Sequence, residues 1–242
     1  MPISSIADLQ RNYLLCLLKP EIQQRLLPML NLVAVEIGQF VLQANRPTSI
    51  VYFPLSFCSS SLKTTEDGIT IEIATVGNEG FVGMPLFFGS QHEPLDSIAQ
   101  IGGEGLTMSA EDFNNTIEDA TTGLRKILLL YAQAVFNQVV QNAACNRAHS
   151  IEQRCARWIL MTQDRVHDEA FILGSHFISY MLVVPEPIVH STIETLSKAK
   201  LISYIGEKIR VLDRPHLKNV SCECYDVIKR EYERLLHTAL WS

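Results

Sequence analysis

The chain has 242 residues, of which 47% are hydrophobic and 19% are charged. This is an ordinary globular composition, and the length allows one large domain or two small ones. No apolar stretch approaches the roughly 18 residues that a membrane span needs, and the N-terminus lacks a basic-then-apolar signal pattern. We therefore expect a soluble, cytoplasmic protein with no membrane partner.

The charge is distributed unevenly along the chain. Residues 1–145 hold 7 Lys/Arg against 14 Asp/Glu, whereas residues 146–242 hold 13 against 12 and six of the seven histidines. The C-terminal part is thus the less acidic half. This asymmetry permits contact with a polyanion there, but the segment is not strongly basic, as many nucleic-acid-binding domains are.

The first third of the chain has the pattern of short β-strands. The stretch "SIVYFPLSF" (49–57) is rich in β-branched and aromatic residues, and "ITIEIATV" (69–76) alternates as a half-buried strand does. Between 59 and 77 we expect a hairpin whose turn contains Asp67 and Gly68. The glycines of "GNEGFVGMPLFFG" (77–89) indicate repeated bends, so this region predicts a compact β-roll.

Around Ser109 the pattern changes to helix, because Ser109 can cap a helix whose first turn is acidic. One long helix is then predicted from about Asp119 to about Asn146. Its stripe can pack on its own domain or form the seam of a dimer, and the periodicity favours neither. The residues of this stripe are Leu124, Ile127, Leu128, Tyr131, Val135, Gln138, Val139 and Asn142.

The last hundred residues predict three helices, a hairpin and a final helix, which is the order of a winged helix. The first helix (150–166) begins with Ser150 and Gln153 as a capping box, and the second (175–182) begins with Ser175 as its cap. The third covers 186–200. Two strands follow around Gly206, and residues 214–240 are predicted as one helix.

Several stretches in this order resemble the Crp/Fnr superfamily of bacterial transcription regulators over nearly the whole chain. They are "VYFP", "EDGITIEIATVGNEGFVG", "AACNRAHSIEQRCARWILMTQDRV", "LISY" with "IRVLDRPHL", and "CECY". The resemblance implies an α+β protein: a jelly-roll-like, cyclic-nucleotide-binding-like sensor (1–118), a dimerisation helix (119–146) and a winged helix-turn-helix domain (147–242). It also implies a homodimer that binds palindromic double-stranded DNA.

The sensor half departs from the family pattern. A cyclic-nucleotide pocket of this family holds the phosphate with an arginine, whereas this chain has "EPLDSIAQ" (93–100) there, with no arginine and with Asp96. Cys16 stands alone near the N-terminus, which disfavours an iron–sulfur cluster. We expect no cyclic nucleotide and no other cofactor. The resemblance places any effector at Glu79, Gly80 and Ser97.

The predicted recognition helix also departs from the pattern. Val183 stands where the family has a glycine in the turn, and a β-branched residue is a poor choice for positive φ. Glu186 stands where an arginine is expected. The sequence leaves open whether the turn is rebuilt around Val183, and we expect an altered sequence preference. The DNA-contacting residues that the resemblance implies are Ser175, Ser179, Glu186, His190, Ser191, Thr192, Thr195, Lys198, Lys208 and Arg210.

Other groups of residues give weaker indications of function. The six cysteines are scattered, so reduced thiols are expected. Cys145 with His149, and Cys222 with Cys224, have ligand-type spacing, but each pair would need partners, and no metal site is predicted. No catalytic set of residues is found. The alternative to a DNA-binding regulator is an interaction module that pairs with a sister regulator or another protein without binding DNA.

Overall fold

The computed structural model describes residues 5–166 and 169–236. Four short elements open the chain: α1 (Ile6–Gln10), α2 (Tyr13–Cys16), α3 (Pro20–Leu26) and a 3₁₀ turn (Leu27–Met29). Asn12 holds them against the body, because its buried amide donates to the carbonyls of Pro54 and Gly80. The N-terminal helices therefore belong to the same unit as the strands that follow.

Seven strands form the expected β-roll as two antiparallel sheets, with the orders β1-β7-β3 and β2-β6-β4-β5. Gly68 has the positive φ that the predicted hairpin turn between β4 and β5 requires. The strands are β1 (Asn31–Val35), β2 (Phe40–Leu42), β3 (Ile50–Pro54), β4 (Cys58–Thr64), β5 (Thr70–Val76), β6 (Asp96–Ile101) and β7 (Gly103–Ser109).

One expectation about β5 fails in detail. Glu72 belongs to the polar face of the alternating pattern, yet it is buried and accepts hydrogen bonds from Ser60 (2.6 Å) and Thr75 (2.7 Å). The face is covered because helices from the C-terminal half pack against β5. Burial raises the pKa of this carboxyl.

Two short helices complete the N-terminal half. The helix α4 (Met84–Phe87) lies in the glycine-rich segment, and α5 (Ala110–Glu118) follows β7. Ser109 caps α5 as predicted, since its hydroxyl accepts from the Asp112 amide at 3.0 Å. Aromatic rings then connect this half to the next helix, because Phe81 packs on both Phe113 and Tyr131.

The long helix α6 spans Leu124–Ala148, five residues later at its start than predicted. Asp119 and Thr122 instead hold a turn that ends at Gly123, which has φ +73°. The predicted stripe packs within the chain, since Leu124, Leu128, Tyr131 and Gln138 are all buried. Packing on its own domain is therefore the interpretation that fits this stripe.

Two glycines of the "GNEG" segment permit the closest packing between the halves. A Cβ on Gly80 would lie 2.1 Å from the Tyr131 hydroxyl, and one on Gly77 would lie 2.8 Å from the Arg165 side chain. Both contacts are far shorter than real carbon contacts, so only glycine fits at either position. The segment thus lets α6 and the following helix approach the roll.

That following helix, α7 (Ile151–Val166), begins with the predicted capping box. Ser150 and Gln153 exchange hydrogen bonds of 3.0 and 3.2 Å. Arg165 on α7 is completely buried and donates from Nε to Glu79 Oε1 at 2.8 Å. A buried arginine from the C-terminal half therefore pairs with a buried glutamate of the roll.

The remaining elements form a winged helix, as expected. Its helices are α8 (Ser175–Leu182) and α9 (Glu186–Lys198), and α8 packs against β5. The wing is a three-stranded sheet of order β8-β10-β9, where β9 (Ile202–Ile205) and β10 (Lys208–Val211) flank Gly206. The strand β8 (Ala170–Ile172) was not predicted from the sequence.

The last predicted helix is broken in two. The structure has α10 (Arg214–Val220) and α11 (Cys224–Leu236), separated by Ser221, which is extended at φ −67° and ψ 160°. Residues 237–240 of the predicted helix lie outside the described residues. Within 5–166 and 169–236, no helix is both long and apolar enough to cross a bilayer.

Candidate functional site

The helix-turn-helix motif keeps its tight turn although the turn lacks a glycine. Val183 ends α8 in the left-handed conformation, with φ 52° and ψ 49°. The amides of Val183 and Val184 both donate to the Ser179 carbonyl, and the Ser179 hydroxyl donates to Val184 O at 2.6 Å. The structure therefore answers the question that the sequence left open: the turn is not rebuilt, and the valine adopts the left-handed geometry at a cost in strain.

A buried arginine completes the end of α8. Arg154 of α7 donates from Nη1 to the carbonyl of Leu182 at 3.0 Å and lies within 3.3 Å of Asn146 Oδ1. Carbonyls in the last turn of a helix have no partner inside the helix, so this charge-assisted bond supports the turn. The motif is thus anchored to α7 at the point where the chain reverses.

The start of α9 is built from residues that are unusual in a DNA-reading helix. Pro185 occupies the N-cap and Pro187 lies in the first turn, where prolines are tolerated. Glu186 is the first helical residue, and its carboxylate accepts a short hydrogen bond from the Ser175 hydroxyl. Ser175 is the first residue of α8 and not its N-cap, which is Gly174. A carboxylate at a helix N-terminus is favourable, so Glu186 has a structural role here.

The other predicted contacts on α9 divide by face. His190, Ser191 and Thr195 are exposed on one side of the helix. Thr192 is buried, and its hydroxyl donates to the Ile188 carbonyl at 2.8 Å, so it points away from the surface. Ser175, Ser179 and Glu186 take part in hydrogen bonds within the chain. The hydroxyls of Ser191 and Thr195 also donate to carbonyls of their own helix, to Ile188 O at 2.9 Å and to Ser191 O at 3.0 Å, although both residues are exposed.

The cations of this surface are few, and several have acidic neighbours. Lys198 pairs with Glu194 at 2.8 Å, and Arg210 of β10 lies 3.4 Å from Glu169. Lys208 is exposed at the start of β10. The candidate interface, which comprises the exposed side of α9 and the wing, is therefore close to neutral.

The residues proposed for an effector have different locations. Glu79 is fully buried in its pair with Arg165, and Gly80 is packed under Tyr131. Ser97 alone lines the pocket of the roll, and it is buried. The structure thus assigns Glu79 and Gly80 to the connection between the two halves rather than to the wall of the pocket.

The pocket has a volume of about 230 Å³ and lies between the roll and α6. Its wall is apolar, and none of the described residues that line it is Lys or Arg. Glu93 is its one ionisable carboxyl, and burial raises the pKa of Glu93 to about 7. The lining residues are Ser61, Ile73, Ala74, Val76, Phe81, Val82, Gly83, Met84, Pro85, Phe88, Glu93, Pro94, Leu95, Ser97, Tyr131, Val135 and Val139.

A second surface was missed by the sequence analysis. On the opposite side of α6 from the buried stripe, Leu129, Phe136 and Val140 are 53%, 66% and 52% exposed. With Gln133 and Ala143 they follow alternating four- and three-residue steps, the a/d spacing of a coiled coil. The helix has two apolar stripes on opposite sides, and the sequence alone does not show which of them the rest of the fold covers.

Comparisons with known proteins establish the fold. No protein-family model and no curated protein sequence matches the chain. The c-di-GMP-responsive global regulator CLP of Xanthomonas campestris is 13% identical with a TM-score of 0.64, over 80% of this chain and 99% of that one. FixK2 of Bradyrhizobium japonicum is 15% identical with a TM-score of 0.64, over 80% and 98%.

A CRP-family transcriptional regulator of Thermus thermophilus gives the same result. It is 15% identical with a TM-score of 0.63, over 87% of this chain and 98% of that chain. At this identity the likeness shows fold. The chain therefore has the fold of the Crp/Fnr regulators, which confirms the architecture that the resemblance implied.

Replacing Val183 by glycine should stabilise the protein. The substitution relieves the strain of a β-branched residue in the left-handed conformation. This stabilisation exceeds the entropic cost that glycine adds by making the unfolded chain more flexible, so we expect the free energy of unfolding to rise by about 1 kcal/mol. Urea denaturation measures it. Val184→Gly, at a neighbouring position that packs against the core, is the control and should destabilise. An unchanged or lower stability of Val183→Gly would show that the turn is not strained.

Glu93 should make stability depend on pH. Its pKa is raised to about 7 when folded, against about 4.3 in the unfolded chain, so the folded state binds the extra proton between these values. Stability therefore falls as pH rises through this window. Relative to Glu93→Gln, we expect the wild type to lose about 3 kcal/mol between about pH 4 and pH 8. The raised pKa of Glu93 would be contradicted if urea denaturation gave the wild type and Glu93→Gln the same dependence of unfolding free energy on pH.

Proposed function

We propose that the protein is a dimeric transcription regulator that binds double-stranded DNA through α9 and the wing. The observation that carries the proposal is the turn at Val183, where the helix-turn-helix geometry persists against the conformational preference of the residue. In this fold the second helix of the motif enters the major groove. A regulator of this kind acts in the bacterial cytoplasm and has no catalytic step.

Recognition on this interface depends on hydrogen bonds more than on charge. The His190 ring can donate to or accept from base edges, and the Ser191 and Thr195 hydroxyls, which donate to carbonyls of their own helix, can still accept from them. The arginine-to-guanine contact of typical recognition helices is absent from α9. Lys208 and Arg210 are placed to meet phosphates. With so few cations, non-specific affinity should be weak, and sequence preference should differ from that of arginine-reading regulators.

The exposed stripe of α6 supports a homodimer. Leu129, Phe136 and Val140 lie on a 25-residue helix and have coiled-coil spacing. A second copy of the same helix presents the same stripe, so the two can bury each other about a two-fold axis. Such a dimer gives the two recognition helices that a palindromic site requires.

The pocket of the roll supports a small, uncharged effector. A cyclic nucleotide brings a phosphate. An anion against this apolar wall would meet no lysine or arginine among the described residues that line the pocket, and it would lie near Glu93. The volume of about 230 Å³ is below the roughly 300–1,000 Å³ typical of drug-sized ligands. We therefore favour a small apolar molecule with one polar group that can bond to Glu93 or Ser97.

A second candidate function is protein interaction without DNA, including pairing with a sister regulator. One observation favours it: apolar side chains occur on the candidate interface, with Ile205 at the wing tip 77% exposed and Ile188 on α9 partly exposed. Glu186, Glu194 and Glu207 add negative charge nearby. A protein partner tolerates this surface better than a phosphate backbone does.

Salt dependence of DNA binding separates the two functions. We expect fluorescence anisotropy with mixed-sequence duplexes to show binding at low salt that weakens as salt rises. Lys208→Ala should reduce the slope of log K against log[salt] by about 2 in a dimer, one phosphate contact per chain. Lys63→Ala, an exposed lysine of β4 in the roll, is the control and should leave the slope unchanged.

Two results would contradict the proposal that DNA binds through α9 and the wing. One is the absence of binding at low salt by a protein that is folded and dimeric, which would favour the interaction module. The other is an equal effect of Lys208→Ala and Lys63→Ala, which would mean that the wing does not meet the backbone.

Dimerisation through α6 has its own test. Phe136→Glu places two like charges in the proposed seam, so we expect the dimer dissociation constant to rise at least roughly 30-fold, the effect of losing an interface hot spot. Sedimentation equilibrium measures it. Phe40→Glu makes the same change at a half-exposed phenylalanine of the roll and should not alter the constant. Dimerisation of Phe136→Glu with wild-type affinity would place the seam elsewhere.

A further inference from the structure

Four potential metal ligands from two distant segments meet beside the end of α6. Cys145 and His149 lie in the last turn of this helix and at its C-cap, and Cys222 and Cys224 lie at the break between α10 and α11. One ligand atom from each, three Sγ and an imidazole nitrogen, fall within 4.8 Å of one another. We name these four residues the Cys3His cluster.

Two of the separations are close to the edges of a tetrahedron around one ion, and all of them lie within 4.8 Å. With Zn–S bonds of about 2.3 Å and a Zn–N bond of about 2.0 Å, two thiolates lie about 3.8 Å apart, and a thiolate and a nitrogen about 3.5 Å apart. Here Cys145 Sγ and Cys222 Sγ are 3.5 Å apart, and Cys224 Sγ and His149 Nδ1 are 3.6 Å apart. Ligands this close enclose one ion and leave no room for a multi-iron cluster.

We propose that the Cys3His cluster binds one zinc ion, with Cys145, Cys222 and Cys224 as thiolate ligands and His149 as the fourth ligand through Nδ1. The set is closed, with four protein ligands and no open position, as in structural zinc sites. Binding releases the thiol protons to solvent, so zinc affinity falls as pH falls. The site is independent of the DNA-binding proposal.

The surroundings suit an anionic metal site. Three thiolates and Zn²⁺ together carry one negative charge, and the guanidinium of Arg157, on the adjacent helix α7, supplies a positive charge that acts on both Cys145 and Cys222. A nearby cation favours the thiolate form of cysteine that metal binding requires.

Two further residues hold the ligands in orientation. Glu223 accepts from the other ring nitrogen of His149, with Nε2 3.2 Å from Oε2, which presents Nδ1 to the cluster. Gln141 Nε2 lies 3.0 Å from Cys224 Sγ, where it can donate to a thiolate. A carboxylate behind a ligating imidazole is the usual outer partner of a metal-bound histidine.

The backbone brings the ligands together by interrupting a helix. Residues 214–236 would otherwise run as one helix, and the extended Ser221 turns Cys222 and Cys224 toward Cys145. The three thiols form a buried group separate from the main hydrophobic core. A disulfide between Cys145 and Cys222 would not explain why Cys224 and an oriented His149 lie beside them, whereas a metal ion would use all four residues.

A zinc ion here would fasten α11 to the end of the long helix. That end is where α6 stops and α7, the first helix of the winged domain, begins two residues after His149. The bound ion would fix the direction in which the chain leaves the proposed dimer seam. The predicted role is structural rather than catalytic.

Metal content and cobalt spectroscopy of the full-length protein test the site. After purification with reductant and no chelator, we expect one zinc per chain by mass spectrometry. Replacement by Co²⁺ should give the strong visible bands of tetrahedral coordination and a thiolate charge-transfer band. Cys224→Ser should lose the thiolate intensity in part and bind metal far more weakly, whereas Cys16→Ser, at an exposed cysteine outside the cluster, should match the wild type.

Glu223→Ala provides a variant that should fold, because the Glu223 side chain is exposed. We expect its zinc affinity to fall about 10- to 100-fold in a competition titration with a chelator. Glu66→Ala, in the exposed β4–β5 turn, is its control. The proposal is overturned if reduced wild-type protein holds no metal and shows no cobalt–thiolate band, or if Cys145 and Cys222 are recovered as a disulfide in metal-free protein.

Discussion

The buried pair of Glu79 and Arg165 is the interaction on which the two halves of this molecule depend. Both side chains are fully removed from solvent, and each makes the burial of the other tolerable. Removing one partner of such a pair typically costs about 3–5 kcal/mol, because the other charge is left without compensation. The glycine-rich segment around Glu79 allows this contact, since a side chain at Gly77 would occupy the path of Arg165.

This pair gives the roll and the winged helix a shared boundary. Arg165 lies in the last turn of α7, and the same helix presents Arg154 to the last carbonyl of α8 and Arg157 to Asn142 of α6. Three buried arginines of one helix thus contact the roll, the helix-turn-helix motif and the long helix. A change in the pocket that shifts α6 or the roll would therefore be transmitted to the helix-turn-helix motif through α7. This connection is the physical basis for proposing a regulator rather than two independent modules.

The recognition surface combines the usual helix-turn-helix geometry with unusual chemistry. Glu186 accepts a hydrogen bond from Ser175 at the start of the motif, and its carboxylate keeps the negative charge that it brings to this surface. The prolines stand only where a helix start tolerates them. What remains on the exposed side of α9 is polar and nearly neutral. Under the proposal of DNA binding, specificity would therefore depend on hydrogen bonds and DNA shape more than on attraction to phosphate.

Local signals in the sequence predicted the local structure well. The cap at Ser109, the box at Ser150 and Gln153 and the wing hairpin at Gly206 are confirmed, because each depends on residues a few positions apart. Errors arose where distant segments meet: Glu72 is buried by helices from the other half, and the last helix breaks at Ser221 to place Cys222 beside Cys145, which is 77 positions away. The location of Glu79 could not be read from its neighbours either, since its partner Arg165 is 86 positions away.

Selection of bound duplexes from a random-sequence pool tests the central claim, that the altered motif still recognises DNA, most directly. The account predicts enrichment of a two-fold symmetric site whose half-sites are separated by about one helical turn, roughly 10 base pairs from centre to centre. It also predicts half-sites that differ from guanine-rich, arginine-read sequences. A pool that shows no enrichment after repeated rounds with folded, dimeric protein would contradict the account and leave protein interaction as the function of this surface.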